Sequence, residues 1–170
     1  MRVLVYGFGP YRQFRDNITA RIIGALPNSK GLMTHIFATR FQRRQFIAAL
    51  NRYRPDIVLG LGQSARRQID IETLARNRRR ATKSAALRPI FKDGPKSLRT
   101  TLKISAGRSL RMSKHAGDYV CNYSMYMLID AIARQHRKVR FGFIHIPHDW
   151  ELDQAVKLVR RVLRQSGGPN

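Results

Sequence analysis

Apolar residues fall into short runs and helical stripes that alternate along the chain. Residues 3–8 are an apolar run that breaks at Gly7-Phe8-Gly9-Pro10, which predicts a strand entering a loop. Ile18, Ile22, Ile23 and Leu26 recur at helical spacing and predict a helix over 19–26. Residues 33–38 read as a strand, 45–53 as a helix ending before Pro55, and 56–61 as a buried strand running into Gly62-Gln63-Ser64. A third, interrupted strand is expected over 69–75. Residues 78–97, with Pro89 and Pro95, read as loop, and 102–111 as a short helix. Met125, Leu128, Ile129 and Ile132 set a helix running from Cys121 through Gln135. Residues 139–146 then form a strand stopped by Pro147. Leu152, Ala155, Val156, Val159, Val162 and Leu163 share one face of a last helix over 150–165. Strands alternating with helices predict an α/β fold, a three-layer α/β/α sandwich around a twisted, mostly parallel sheet. We take residues 1–165 as one domain and 166–170 as a disordered tail.

Composition narrows the class. The apolar share of 43% excludes wholesale disorder, and 170 residues can bury a real core. A single cysteine cannot form an intrachain disulfide, so a reducing, cytoplasmic location is expected. The first apolar run is too short for a signal peptide, and no stretch is long enough to span a bilayer. The net charge of +23 is uneven: residues 64–114 hold 15 Lys/Arg against Asp70, Glu72 and Asp93. Such a surface attracts an anionic partner, whether nucleic acid, lipid or acidic peptide, or is simply a solvated basic face.

Cys121 follows Ala116-Gly117-Asp118-Tyr119-Val120, a Gly-containing turn leading into a helix. Unpaired N–H groups and the positive dipole end there favour a thiolate. On residues alone, Cys121 is either a nucleophile or a buried structural thiol. Gly60-Leu61-Gly62-Gln63-Ser64-Ala65 matches a dinucleotide-binding pattern, but Arg66-Arg67-Gln68 follow and the acid expected about 20 residues on is missing. His145 and His148 lack the carboxylate–histidine spacing of a zinc site, so neither a metal nor a cofactor is expected.

Several blocks together resemble pyroglutamyl-peptidase I, the cysteine peptidase family that removes N-terminal pyroglutamate. They are Tyr6-Gly7-Phe8-Gly9-Pro10-Tyr11, Asn17, Pro55 through Gln63, Ala116 through Asn122 with Met125-Tyr126, and Gly142-Phe143-Ile144-His145-Ile146-Pro147. The resemblance implies a Cys–His–Glu set. Cys121 and His145 fall on its motifs, and Glu72-Thr73-Leu74-Ala75-Arg76-Asn77 is the counterpart of Glu-Arg-Val-Ala-x-Asn. It further implies a thioester intermediate, with His145 moving the proton and Glu72 holding the imidazole. Phe8, Tyr11 and Tyr119 match the rings that stack on the lactam, and Asn17 and Gln63 join them as substrate-binding positions. Core packing for Phe8, a backbone-bonded core histidine for His145 and a salt bridge from Glu72 to Arg66 or Arg76 are the bland counterparts.

The chain also departs from the family pattern. Arg12-Gln13 replace a Gly-Gly pair, Asn17-Ile18-Thr19 replace Asn-Pro-Ser, and Arg78-Arg79-Arg80-Ala81-Thr82-Lys83-Ser84 replace an acidic, Asn/Asp-rich stretch. The resemblance thus implies a cofactor-free cysteine exopeptidase with a peptide substrate and, as family members often do, self-association into a homo-oligomer. The alternatives are a non-peptidase homologue binding nucleic acid or acidic peptides, and a cysteine acyltransferase or amidohydrolase acting on a different lactam. Arg76, Arg78, Arg79, Arg80 and Lys83 are expected at the mouth of the site because they follow Glu72 closely.

Overall fold

Strands that are apolar at every position belong in the middle of a sheet covered on both faces. The computed structural model describes residues 1–11, 16–105 and 110–168. Its elements are β1 (Val3–Phe8), α1 (Ile18–Ala25), β2 (Leu32–Phe37), α2 (Arg43–Tyr53), β3 (Ile57–Ser64), β4 (Ile69–Glu72), β5 (Leu74–Arg76), β6 (Ser97–Arg99), β7 (Leu110–Ser113), α3 (Val120–Arg134), β8 (Arg140–Pro147) and α4 (Leu152–Gln165). Six strands form one sheet in the order β2-β1-β3-β8-β4-β7, and β5 pairs with β6 apart from it. The fully buried β1 and the largely buried β3 and β8 lie side by side and parallel, with β2 parallel at one edge. At the other edge β4 runs antiparallel to β8, with β7 parallel to β4. The expected α/β fold with a mostly parallel sheet is thus what forms.

Side chains alternate between faces along each strand. Val3, Val5, Ile57, Leu59, Ile144 and Ile146 pack under α1 and α4. Leu4, Tyr6, Val58, Phe141 and Phe143 pack under α2 and α3. Burial follows the stripes read from the sequence: Ile22 and Ile23 on α1, Met125, Leu128, Ile129 and Ile132 on α3, and Ala155, Val159, Val162 and Leu163 on α4.

Three expectations need correction. No helix forms over 102–111 among the described residues. Residues 102–105 are irregular, 110–113 are β7, and 106–109 lie outside the described residues. Leu102 and Ile104 are buried two positions apart, the spacing of extended chain, and Leu102 N–H donates to Phe141 O at 2.9 Å. The interrupted strand over 69–75 divides at Thr73. Its N–H donates to Ser113 O at 2.7 Å, and β5 beyond it leaves the main sheet for β6, which also absorbs Ser97 from the end of the expected loop. The tail does not fray at Ser166. Gly167 N–H bonds Arg164 O at 3.0 Å and Gly168 N–H bonds Leu163 O at 2.7 Å, closing the helix in a Schellman pattern with Gly167 at φ +77°. Pro169 and Asn170, like Arg12 and Gln13, lie outside the described residues.

Candidate active site

Strand parity brings the chemistry to the α3 face. His145 is two residues beyond Phe143 on β8 and therefore points the same way, towards α3. Its neighbour in register on β3 is Gly62. A Cβ at Gly62 would fall 2.7 Å from His145 Nε2, so only glycine leaves the imidazole its place. On the other side β4 pairs Glu72 with Phe143, which makes Glu72 a diagonal neighbour of His145 on the same face. Nδ1–H of His145 donates to Glu72 Oε1 at 2.8 Å, and both side chains are buried. Arg66 Nη1 lies 3.5 Å from the same Oε1 and also pairs with buried Asp70, which Arg111 holds through two bonds of 2.7 and 3.0 Å. Glu72 therefore has the Arg66 ion pair as well as the histidine; the two expectations are compatible.

Cys121 is the second residue of α3 and is half-buried. Its thiol and the His145 ring line the same cleft, and the sulfur is among the groups that raise the His145 pKa. The first-turn N–H groups of a helix have no intrahelical acceptor, and the Tyr119 N-cap supplies no side-chain bond to them. The turn is tied to the sheet by a relay: Tyr6 OH lies 3.0 Å from Ser124 Oγ, which donates to Cys121 O at 2.8 Å. Fully buried Asn122 clamps the neighbouring segment. Its Oδ1 accepts from Arg76 N–H at 2.7 Å, and its Nδ2 donates to Arg76 O and Arg78 O, each at 2.8 Å.

The electrostatics favour a proton on His145. Burial pulls its pKa down, but the Cys121 sulfur and the Glu72 carboxylate outweigh burial and push it up to about 9. Burial pulls Glu72 the other way, yet His145, Ser113 and Arg66 hold its carboxyl below the usual range.

A cleft of about 280 Å³ opens over these groups, lined by Phe8, Tyr11, Asn17, Thr39, Gln63, Ser64, Ala65, Ala116, Tyr119, Val120, Cys121, His145 and His148. Phe8, Tyr11, Tyr119, Asn17 and Gln63 thus all meet there with Cys121 and His145. Phe8 is also 98% buried and packs edge-on against Tyr6 at 5.8 Å, so it serves core and cleft together. Asn17 has its polar atoms engaged. Oδ1 caps α1 through Thr19 N–H at 3.0 Å, and Nδ2 donates to Gly9 O at 3.1 Å. Gln63 Oε1 accepts from Ile18 N–H at 2.9 Å, and the residue lines the cleft. Asn122 and Thr39 escaped the sequence reading. For Asn122 the signal was there: a polar residue on a helix position that must be buried needs partners.

The basic residues divide. Arg76 Nε donates to Lys114 O at 3.3 Å, and Arg79 lies 5.3 Å over the Phe41 ring. Arg78 and Arg80 pair with Asp118 at 2.6 and 3.3 Å. The dinucleotide pattern is strand through Ser64, then bends and β4, with no helix to receive a phosphate.

A family model for pyroglutamyl peptidase matches residues 1–156. The chain belongs to the pyroglutamyl peptidase family. Pyrrolidone-carboxylate peptidases of Bacillus amyloliquefaciens and Erwinia tasmaniensis are 30% and 32% identical over 168 residues, covering 86% of this chain and 78% of each relative. Pyrrolidone-carboxylate peptidase 1 of Ralstonia nicotianae is 33% identical over the same shares. Among solved structures, the pyrrolidone carboxyl peptidase of Thermococcus litoralis superposes with a TM-score of 0.86 at 21% identity, covering 97% of this chain and 92% of that one. A mutant of the Pyrococcus furiosus enzyme gives 0.86 at 23%, covering 98% of each. At such identities the likeness is one of fold. The resemblance read from the motifs is borne out as membership of the pyroglutamyl peptidase family, and no helix among the described residues is long and apolar enough to cross a membrane.

Proposed function

We propose that this chain is a cysteine peptidase that removes an N-terminal pyroglutamyl residue from peptides. The observation that carries the reading is His145, bonded to Glu72 through Nδ1 and lining an aromatic-sided cleft together with Cys121. His145 Nε2 holds the proton taken from the Cys121 thiol, and Sγ attacks the carbonyl carbon joining pyroglutamate to the next residue. The tetrahedral oxyanion faces the unpaired N–H groups opening α3. As the C–N bond breaks, His145 returns the proton to the leaving amine and a thioester remains. Water then attacks the thioester, His145 accepts its proton, the C–S bond breaks, and Sγ is reprotonated as 5-oxoproline departs. Glu72 keeps Nδ1 protonated throughout and stabilises the imidazolium.

The cleft suits the substrate. Its volume, about 280 Å³, lies at the low end for ligand pockets and accommodates one small ring rather than an extended peptide. Phe8, Tyr11 and Tyr119 offer ring faces to the flat lactam, and Gln63 Nε2 offers a donor to its carbonyl. Asn17 acts by tying Gly9, just past the end of β1, to the start of α1. A cytoplasmic location, inferred from the lone thiol, belongs to the same reading. Nothing in the comparisons favours the basic binding protein over the peptidase. The test is steady-state release of aminomethylcoumarin from its pyroglutamyl and prolyl derivatives. We expect turnover of the first only; a folded protein that turns over neither, or both equally, contradicts the proposal.

A further inference from the structure

Beside the cleft lies a second hollow of about 440 Å³, lined by Tyr11, Arg80, Thr82, Lys83, Asp118 and Tyr119. Tyr11 and Tyr119 line both spaces, and their ring centroids are 4.8 Å apart, so this pair is the partition. The hollow has an excess of positive charge. Asp118 is its one carboxylate and is shared by Arg78 at 2.6 Å and Arg80 at 3.3 Å. Lys83 is exposed, and the bond found for it among the described residues uses its carbonyl, which accepts from Arg80 Nη1 at 3.0 Å. The ammonium therefore adds charge that Asp118 does not neutralise.

These cations are held in place. Arg80 N–H bonds Asp118 O at 2.8 Å, Arg79 bridges Arg88, and Asn122, next to the nucleophile candidate, fixes Arg76 and Arg78. Asp118 stands three positions before Cys121, so the charged wall is anchored to the turn that presents the thiol. A pyroglutamyl ring is neutral and gains nothing from cations. A peptide chain leaving the scissile bond advances about 3.3 Å per residue, which brings the first one or two following side chains to the neighbouring surface.

We infer that this hollow receives the peptide downstream of the scissile bond and selects an acidic side chain in the first two positions after pyroglutamate. The inference rests on the pyroglutamyl peptidase reading and adds the substrate class to it. An exposed charge pair contributes modestly, and attraction for one sign combines with repulsion of the other. The preference is carried in KM, because the side chain lies away from the reacting atoms and is bound equally in ground and transition states.

The experiment compares kcat/KM for pyroglutamyl-Glu-Ala amide and pyroglutamyl-Lys-Ala amide at low ionic strength and in added salt. The acidic peptide is expected to lead by about three- to tenfold at low salt. Its lead shrinks as the screening length falls. Lys83→Glu, on an exposed side chain, should abolish or invert the ratio. A ratio near one at low salt, or an unchanged ratio in Lys83→Glu, overturns the inference. Should wild-type protein cleave neither peptide, the reaction reading fails, and the hollow is judged by binding of both peptides to Cys121→Ala. Tighter binding of the acidic peptide supports the subsite; equal binding, or a single-stranded oligonucleotide that binds more tightly at the same salt, overturns it.

Discussion

Towards α1 and α4 the sheet presents Val3, Val5, Ile57, Leu59, Ile144 and Ile146; towards α2 and α3 it presents Leu4, Tyr6, Val58, Phe143 and His145, with Gly60 and Gly62 between them. The first face is aliphatic. The buried polar side chains near its helices, Asn17, Thr19 and Ser166, serve helix ends. The second face is aromatic and interrupted by glycine, and it carries buried His145 and Glu72 against an α3 that contributes Cys121, Asn122 and Ser124. One face therefore holds the layers together, while the other uses rigid rings and missing side chains to leave room for polar groups, among them His145, Asn122 and Ser124 with their hydrogen-bond partners. Substitutions on the two faces should separate stability from chemistry.

Among substitutions that leave the thiol in place, the largest effect is expected at Glu72. Glu72→Gln should lower kcat on the order of 10²–10⁴-fold while the fold persists, as loss of the orienting carboxylate does in a serine triad. Gly62→Ala comes next. Its Cβ would lie 2.7 Å from Nε2, and the displaced imidazole should lower kcat/KM by about 10²-fold with little change in far-UV dichroism.

The pH profile sharpens the contrast. With His145 raised to about 9, kcat/KM should fall as pH rises through about 9, because the leaving amine then lacks its proton donor. The same shift stabilises the fold. The folded pKa lies above the unfolded value of about 6.5, so this contribution is complete below that value and is lost as pH rises through about 9. Glu72, held low, contributes above its unfolded value and loses that contribution as pH falls through its depressed one. In Glu72→Gln the alkaline limb should move to lower pH, since one of the groups raising His145 is gone. A limb that stays at about 9 in the variant would count against the coupling.

The smallest effect belongs to the aliphatic face. Ile144→Val, one residue from His145 but pointing towards α4, should cost about 1 kcal/mol of stability. Turnover per folded molecule and the pH limb should not move. A change in the limb would show that the two faces are not independent.

Where a single local period decides an element, the sequence suffices: β1, β3 and β8 are continuous apolar runs, and α3 and α4 keep their stripes. The segment 102–111 was misread because Leu102 and Ile104, spaced by two, answer to an edge contact with β8 that no local pattern reveals. β4 was legible as a strand but not as the antiparallel neighbour of β8, since pairing order is a property of the whole sheet. The site shows the same division. The family resemblance singles out Cys121, His145 and Glu72, and the fold brings Glu72 against His145. The Asn122 clamp depends on contacts between segments 44 or more residues apart and on burial, which only the fold supplies. The basic segment was expected near the site, but its charge alone did not reveal that Arg76, Arg78 and Arg79 turn to Lys114, Asp118 and Phe41.

The central claim is that the aromatic face delivers Cys121 as the group that takes the acyl from pyroglutamate. Acid-quenching the protein during turnover of a pyroglutamyl peptide, then mapping the digest by mass spectrometry, addresses it directly. The account predicts a pyroglutamyl mass increment on the peptide carrying Cys121, absent from Cys121→Ser, which should also lack turnover. Full turnover by Cys121→Ser, or an acyl group mapped to another residue, would contradict it.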